Sequence, residues 1–589
     1  MSLITKIAFT GIAACIGLAA PSVADACGGM FCDAPPPDGT PMPVDQTGET
    51  ILFVVGDGFV EAHVQIEYSA DADASAFSWL VPVPEIPEIE VGSERLFDNV
   101  LNATVPVFGY QSEFECGDDG DDGDDGPGAF LLQPDAGGAG PTVVMEDTVG
   151  AFDYVVLQGG TAESITTWLT ENNYAGNDQA PAILDEYLDA GHVFVAFKIN
   201  QHAGVEDLHP VVIRYPGDEP CIPLRLTRIA AEDDMNVRAF VLGEDRAFPV
   251  NYLHVQPNRV RLDWENEAAN YTEMVTMAVD EAGGRAFVTE YAGTSSVVSG
   301  VGLSTETYDP AAFEVLSVTE ALDELQAQEL IQCAGTCTFN HPLVPGVMAQ
   351  YIPAPDGVDP GEFYGCLECY EALIDQDAWD SVGFADALRE RVTEPMDRAS
   401  DLLATWPYLT RLYTTISPHE MLSDPTFIEV PGMQDVARLH GALRTTDCCG
   451  ASMRLPGGRS VLYDDGAWPQ WDESMPWAER IWEYQPMGPP AELGNSSDEI
   501  DALLAAHNAS SNCSVGGGTT GGDGQTETDG DGGDSGADGV FTSGGTGGSP
   551  ALDEDSSGCS CSSDRGTPPL TGFALGLLGL FFVKPRSRR

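Results

Sequence analysis

The feature that most limits how this chain can fold is a change of character near residue 490. Residues 27–490 carry regular hydrophobic patterns that can bury a core, whereas residues 491–558 are dominated by glycine, aspartate, threonine and serine. A segment of the second kind cannot bury enough apolar surface to offset the entropy lost on folding. We therefore predict a folded region over residues 27–490, which could divide into subdomains near residue 310, followed by a disordered Gly/Asp-rich stalk.

The N-terminal residues 1–26 have the organisation of a secretory signal peptide. A basic residue precedes an apolar run over residues 7–20, and the Ala-Asp-Ala at residues 24–26 offers small residues for cleavage. A buried N-terminal helix would conflict with the helix-breaking Pro21. A lipoprotein site at Cys15 is the remaining alternative. We expect the protein to be exported and the first 26 residues to be removed.

The charge balance argues against a nucleic-acid partner. The chain has 94 acidic and 25 basic residues and a formal net charge of −69. A polyanion of this kind repels the phosphate backbone and anionic lipid headgroups. Lysine is so rare that Lys198 is the only lysine outside the terminal segments, and so the only one available for covalent catalysis.

Export makes disulfides the default expectation for the cysteines of the folded region, because exported proteins meet an oxidising compartment. Cys448 and Cys449 are adjacent and cannot easily bridge each other, so each is expected to reach a different partner. Zinc binding is the alternative for the C-x3-C and C-x2-C pairs. The ten disulfide candidates are Cys27, Cys32, Cys116, Cys221, Cys333, Cys337, Cys366, Cys369, Cys448 and Cys449.

The periodicity of the folded region predicts an α+β protein with a mainly β first half. Residues 51–55 and 59–68 read as a β-hairpin around Gly56-Asp57-Gly58. Glu61, His63, Gln65 and Glu67 share the polar face of the second strand, which predicts a solvated His63. The proline-containing run over residues 79–84 suggests an edge strand, because proline cannot donate to a central ladder.

Helices are predicted in both halves of the folded region, and the cysteine-rich second half is expected to be the more helical. Thr161 can cap one helix, and a second helix is expected to begin at Pro181. Ser317 and Glu320 form a capping box that opens a helix over residues 318–332. Residues 384–403 are amphipathic but are interrupted by Pro395.

No familiar catalytic motif is present, so the sequence leaves open whether the protein is an enzyme. Residues 293–296 lack the closing glycine of G-x-S-x-G, and His419-Glu420 lacks the second histidine of H-E-x-x-H. No cofactor is implied. The acidic loop of residues 117–126 is expected to be unstructured, and a Ca²⁺ site is the alternative, because six carboxylates on a glycine-rich loop could bind a hard ion. The carboxylates concerned are Asp118, Asp119, Asp121, Asp122, Asp124 and Asp125.

Several stretches, in order, resemble a bacterial family known as domain of unknown function 2330. The resemblance begins with CGGMFC at residues 27–32 and extends over roughly residues 27–490; the family name implies no activity, cofactor or catalytic residue. The other stretches are VEAHVQIEY (60–68), WLVPVPEIPE (79–88), IPLRLTRIAAEDDMNV (222–237), DEAGGRAFVTEYAG (280–293) and TRLYTTISPHEMLSDPTF (410–427).

The tail, residues 559–589, resembles a MYXO-CTERM-type sorting signal. Cys559 and Cys561 are followed by an apolar run over residues 570–583 and a basic end. The resemblance implies processing near the cysteines and attachment to the cell surface. The apolar run is short for a bilayer, as a transient sorting intermediate would be, although a permanent anchor is the alternative.

Together these features predict an exported protein of the cell envelope, exposed at the outer surface. Its membrane contact is through the C-terminal tail, before or after processing. Binding of an unknown envelope or extracellular ligand, or a structural role, is the first hypothesis. The second is an envelope hydrolase with an unrecognised carboxylate or cysteine site.

Overall fold

The computed structural model describes residues 46–68, 78–114, 142–150, 152–172, 180–199, 209–229, 231–333, 337–355, 357–374, 379–447, 450–463 and 467–510. All of them belong to one compact unit, Met1–Gly517. The strands are β1 (Gln46–Gly56), β2 (Phe59–Tyr68), β3 (Ser78–Val83), β4 (Glu88–Val91), β5 (Val107–Phe114), β6 (Thr142–Val149), β7 (Phe152–Gln158), β8 (Val193–Ile199), β9 (Val211–Pro216), β10 (Ala231–Gly243), β11 (Ala247–Pro249), β12 (Leu253–Pro257), β13 (Ala286–Thr294), β14 (Ile331–Cys333), β15 (Cys337–Phe339), β16 (Tyr408–Ile416), β17 (Phe427–Glu429), β18 (Leu439–Asp447), β19 (Gly450–Arg454), β20 (Ser460–Tyr463), β21 (Ala478–Glu483) and β22 (Ala491–Asn495).

Helices lie between and after these strands. They are α1 (Glu94–Thr104), α2 (Ala162–Glu171), α3 (Ala180–Asp189), α4 (Leu224–Thr227), α5 (Tyr271–Glu281), α6 (Val318–Ala327), α7 (Val344–Tyr351), α8 (Pro360–Gly365), α9 (Leu367–Tyr370), α10 (Ser381–Leu388), α11 (Glu394–Thr405) and α12 (Ser497–Ser510). The predicted α+β class is confirmed. The second half contains the expected helices, but strands return from β16 onward.

A mixed sheet of ten strands forms the centre, in the order β22-β21-β12-β13-β16-β10-β1-β2-β9-β4. The predicted hairpin is present as β1 and β2, and β1 also pairs with β10 in parallel. Gly58 in the hairpin turn has a φ of 81°, in the left-handed region that favours glycine.

Both faces of this sheet are covered, which produces four layers. One face packs against a sheet in the order β3-β8-β7-β6, and Phe53, Val64 and Phe197 belong to the core cluster between the two sheets. The far face of that smaller sheet is covered by α2 and α3. The other face of the large sheet, carrying Leu52 and Phe240, is covered by α1 and α11. Strands that are buried on both faces leave no solvated side at the centre.

Several local predictions are confirmed because they depend on neighbouring residues only. β3, which carries Pro82, is an edge strand of the smaller sheet. The Thr161 hydroxyl accepts a hydrogen bond from the backbone N–H of Ser164 at 3.2 Å and caps α2. The carboxylate of Glu320 accepts the backbone N–H of Ser317 at 2.9 Å. The helix that follows is α6, which ends at Ala327, before residue 332, because the chain turns there into β14.

The interruption at Pro395 takes the form of a π-helical turn. Arg389–Thr393 is π-helical and joins α10 to α11, which has its proline in the first turn. Proline has no N–H to donate and is tolerated only at the start of a helix. The wider turn before it therefore lets the helical path continue.

The folded region extends beyond residue 490, where the sequence composition predicts the stalk to begin. β22 pairs with β21, and α12 buries Ile500 and Leu504 in a cluster with the sheet β20-β19-β18-β5. The two buried side chains are four residues apart, about one helical turn, so they lie on the same face of α12, and Leu503 packs against the same cluster.

Candidate functional site

The carboxylate of Asp424, in the loop between β16 and β17, is buried and has several partners. Its Oδ1 accepts the backbone N–H of Arg225 at 2.8 Å, and its Oδ2 accepts Arg225 Nε at 2.9 Å. The Tyr187 hydroxyl donates to Oδ2 at 2.8 Å. The Arg225 guanidinium lies over the Tyr187 ring, 4.3 Å from its centre. Asp424 therefore joins the loop after β16 to α3 and α4.

Glu49 on β1 is a second buried carboxylate close to Asp424. Burial raises the pKa of Glu49 to about 7; a side-chain hydrogen bond with Thr227 opposes this rise, and the Asp424 charge adds to it. Glu49 Oε2 has no hydrogen-bond partner among the described residues. A carboxyl group in this position is partly protonated at neutral pH.

Cys221 is a free thiol, so the disulfide predicted for it is absent from the described part of the chain. Its backbone forms an isolated β-bridge with Thr426, beside Asp424. Burial raises the pKa of the thiol, and the Asp424 charge raises it further. A half-buried thiol that is held protonated is a poor nucleophile, so this cysteine packs as a small apolar group.

A cavity of about 240 Å³ lies beside β17; we call it the Phe427 cavity. The Glu429 carboxylate in its wall is already hydrogen-bonded, because Oε1 accepts the backbone N–H groups of Glu244 at 2.7 Å and Asp245 at 3.1 Å. Its lining is mainly apolar and consists of Val55, Asp218, Pro220, Val241, Phe427, Ile428 and Glu429.

The solvated position predicted for His63 is wrong. His63 is 1% exposed and Glu61 is 4% exposed, because α11 covers the face of β2 on which both lie. His63 Nε2 is 2.9 Å from Glu61 Oε1, and Arg398 of α11 lies 3.6 Å from the same carboxylate. Period-two alternation reports which side chains share a face; it does not report whether that face is covered.

A third buried ionic contact joins β13 to β16. Arg411 Nε lies 2.5 Å from Glu290 Oε2, and the Tyr271 hydroxyl donates to Glu290 Oε1 at 2.7 Å. The register of β13 against β16 shifts between Thr289 and Tyr291, so Glu290 occupies a β-bulge. No sequence motif pointed to this pair, although Glu290 and Arg411 lie in the family stretches 280–293 and 410–427.

Four of the predicted disulfide cysteines are bonded in two local pairs. The S–S distance is 2.04 Å for Cys333–Cys337 and 2.02 Å for Cys366–Cys369. The two spacings that allowed zinc therefore close on themselves as disulfides. No group of three or more potential metal-ligating residues occurs among the described residues.

The remaining predicted site residues lie outside the described residues, so the roles given to them stay predictions. The Ca²⁺ candidates Asp118, Asp119, Asp121, Asp122, Asp124 and Asp125 are in this group. So are Cys27, Cys32, Cys116, Cys448, Cys449, Cys559 and Cys561. Within the described ranges, no helix is long and apolar enough to cross a membrane.

Comparison of the sequence with known proteins finds a match to one family. No curated protein and no solved structure matches this chain. The family resemblance found in the sequence is supported over the N-terminal half, while its extension to residue 490 and the sorting-signal resemblance of the tail stay predictions. Residues 21–299 match the family described as "Uncharacterized protein conserved in bacteria (DUF2330)".

Proposed function

We propose that this protein is exported and held at the outer surface of the cell envelope by its C-terminal tail. There it acts by binding a partner or as a structural component. The terminal sequence features support export. The disulfides Cys333–Cys337 and Cys366–Cys369 are also consistent with an oxidising compartment.

One observation carries the choice of binding over hydrolysis: the buried ionic groups described above are used to join structural elements. Asp424 binds Arg225, Glu290 binds Arg411, and Glu61 contacts His63 and Arg398. A hydrolytic site needs an activated group that substrate can reach, usually in a concave pocket.

The raised pKa of Glu49, with the Asp424 charge close by, is the observation that most favours a hydrolase. Neither carboxylate, however, lines the Phe427 cavity. That cavity combines apolar walls with Asp218, a lining that suits an apolar group carried beside a positive charge. We therefore place partner binding at the Phe427 cavity.

Localisation is tested by treating intact cells with protease and following the protein with an antibody. Surface exposure predicts degradation in intact cells, with a periplasmic protein as the protected control. Protection equal to that of the control would refute the outer-surface assignment.

Binding is tested by pull-down of envelope extract on the purified chain, read by mass spectrometry. Ile428→Asp places a charge in the Phe427 cavity and should remove the captured partner. Val301→Asp, at a residue that is 78% exposed and outside the cavity, is the matched control. Turnover of an envelope ester or glycan by the wild type that is lost in Glu49→Gln would instead support the hydrolase.

A further inference from the structure

The two described disulfides differ in exposure. Cys366 and Cys369 are both exposed, whereas Cys333 and Cys337 are half-buried and pack against the hydrophobic cluster of the helical segment. Cysteine is normally among the most buried residue types. A disulfide whose two cysteines both face solvent is open to attack by an external thiol.

The exposed pair is presented by a short turn held on buried aromatic residues. Cys366 directly follows α8, and the backbone N–H of Cys369 donates to the carbonyl of Cys366 at 2.9 Å. Phe363 is fully buried beneath this turn, and its ring lies 5.8 Å from that of Tyr370. The position of the turn is therefore set by apolar packing as well as by the S–S bond.

The same bond closes a very short loop, since its cysteines are three residues apart. The stabilisation that a disulfide gains from chain entropy falls as the loop it closes becomes shorter. Exposure, a C-x-x-C spacing and a short loop together are typical of a disulfide kept for its chemistry.

We propose that Cys366–Cys369 is a thiol–disulfide exchange site that accepts two electrons from a dithiol of an exported partner protein. This activity goes beyond the proposed binding or structural role. A partner thiolate attacks one of the two sulfurs, the S–S bond breaks, and the other cysteine leaves as a thiolate that takes a proton from water. A second partner thiol then attacks the mixed disulfide, so the partner departs oxidised and Cys366 and Cys369 remain as thiols.

Charge defines the class of partner. Residues 286–388, which contain both disulfides, include no lysine or arginine, and the residues between the exposed cysteines are Leu367 and Glu368. An anionic thiol is repelled from such a surface, while a cationic one is attracted, and salt screens both effects. The partner dithiol is therefore expected to sit in a neutral or basic surface.

The first test titrates the purified full-length chain with mixtures of reduced and oxidised dithiothreitol. Free thiols are trapped in denaturant and located by peptide mass spectrometry; Cys221, free in every sample, reports complete trapping. Cys366 and Cys369 should open at a dithiothreitol ratio at least about tenfold lower than Cys333 and Cys337. Equal opening of both pairs, or earlier opening of Cys333–Cys337, would overturn the proposal.

The second test compares the rates at which three small thiols open the exposed bond at equal thiolate concentration. Cysteamine is cationic, 2-mercaptoethanol is neutral and 2-mercaptoethanesulfonate is anionic. At low salt the cationic thiol should react at least about tenfold faster than the anionic one, and this ratio should approach one at about 1 M NaCl. Equal rates at low salt would contradict the proposal that charge selects the partner.

Variants separate exchange from a structural role. Cys366→Ser/Cys369→Ser should abolish oxidation of a reduced C-x-x-C peptide and leave the thermal midpoint nearly unchanged. Cys333→Ser/Cys337→Ser, the matched control, should keep the oxidation and lower the midpoint, because these half-buried cysteines pack against the hydrophobic cluster. If the first variant unfolds at much lower temperature than the second, the exposed disulfide is structural and the proposal fails.

Discussion

Arg225 donates hydrogen bonds to Asp424 from both its backbone and its side chain, although the two residues are 199 positions apart. The backbone N–H donates to one carboxylate oxygen and the guanidinium to the other. The contact joins two of the family stretches quoted above, residues 222–237 and 410–427. It also fixes the loop that precedes Phe427, so it supports one wall of the proposed binding cavity.

Asp424→Asn should lower the free energy of unfolding by about 2–4 kcal/mol, because Arg225 then keeps its charge without a buried counter-ion. Urea unfolding measures the change. Glu186→Gln is the control, since Glu186 binds the same guanidinium from a side chain that is 58% exposed. The control should cost no more than about 0.5 kcal/mol. Equal losses in the two variants would contradict the role given to Asp424.

Arg411→Met should cost about 3–5 kcal/mol, because it leaves the Glu290 carboxylate charged and buried without its ion-pair partner. Arg411→Met/Glu290→Leu should recover much of that loss, since two apolar side chains leave no unpaired charge. The double-mutant cycle, measured by urea unfolding, gives the coupling energy. Additive losses would show that the two side chains do not depend on each other.

Glu49 should make stability fall as pH rises between about 4.5 and 7, because burial raises its pKa to about 7 in the folded state. Across this window the folded state holds a proton that the unfolded state releases, and above pH 7 the cost is complete. Glu49→Gln should therefore be about 1–3 kcal/mol more stable than the wild type at pH 8 and nearly equal to it at pH 4.5.

Urea unfolding of the wild type and Glu49→Gln at several pH values gives the difference in their free energies of unfolding. The contributions of other titrating groups cancel in that difference. Glu232→Gln, at an exposed position of β10, is the control. A stability gap that does not change with pH would mean that Glu49 stays charged in the folded protein.

The net charge of −69 should make the folded state sensitive to salt. Self-repulsion of like charges destabilises a compact state, and the Debye length falls from about 30 Å at 0.01 M to about 3 Å at 1 M salt. The thermal midpoint should rise between about 0.01 and 0.5 M NaCl. If the acidic loop binds Ca²⁺, millimolar Ca²⁺ should stabilise more than NaCl of equal ionic strength. A midpoint that neither salt moves would refute both effects.

The proposed export and surface attachment predict that the mature protein lacks both ends, because residues 1–26 resemble a signal peptide and residues 559–589 resemble a sorting signal. Intact-mass measurement of surface-extracted protein should show a start near Cys27 and an end near Cys559. Recovery of peptides from residues 570–589 in the mature surface form would refute C-terminal processing.

Local features of this fold could be predicted from the sequence because they depend on residues close in the chain. The β1–β2 hairpin follows from two alternating runs around a glycine turn. The Thr161 cap follows from one hydroxyl placed three residues before Ser164. The edge position of β3 follows from Pro82, which has no N–H to give a neighbouring strand. Disulfides among the cysteines could be expected as well, but the pairings Cys333–Cys337 and Cys366–Cys369 are known only from the structure.

The tertiary structure decided what those local elements face. α11 packs over the polar face of β2, and His63 and Glu61 are therefore buried beside each other. The docking of α12 extends the folded region beyond residue 490. The pairing of Arg225 with Asp424 has no counterpart in local sequence. Side-chain periodicity determines which residues share a face, but the solvation of that face depends on an element that arrives from far along the chain.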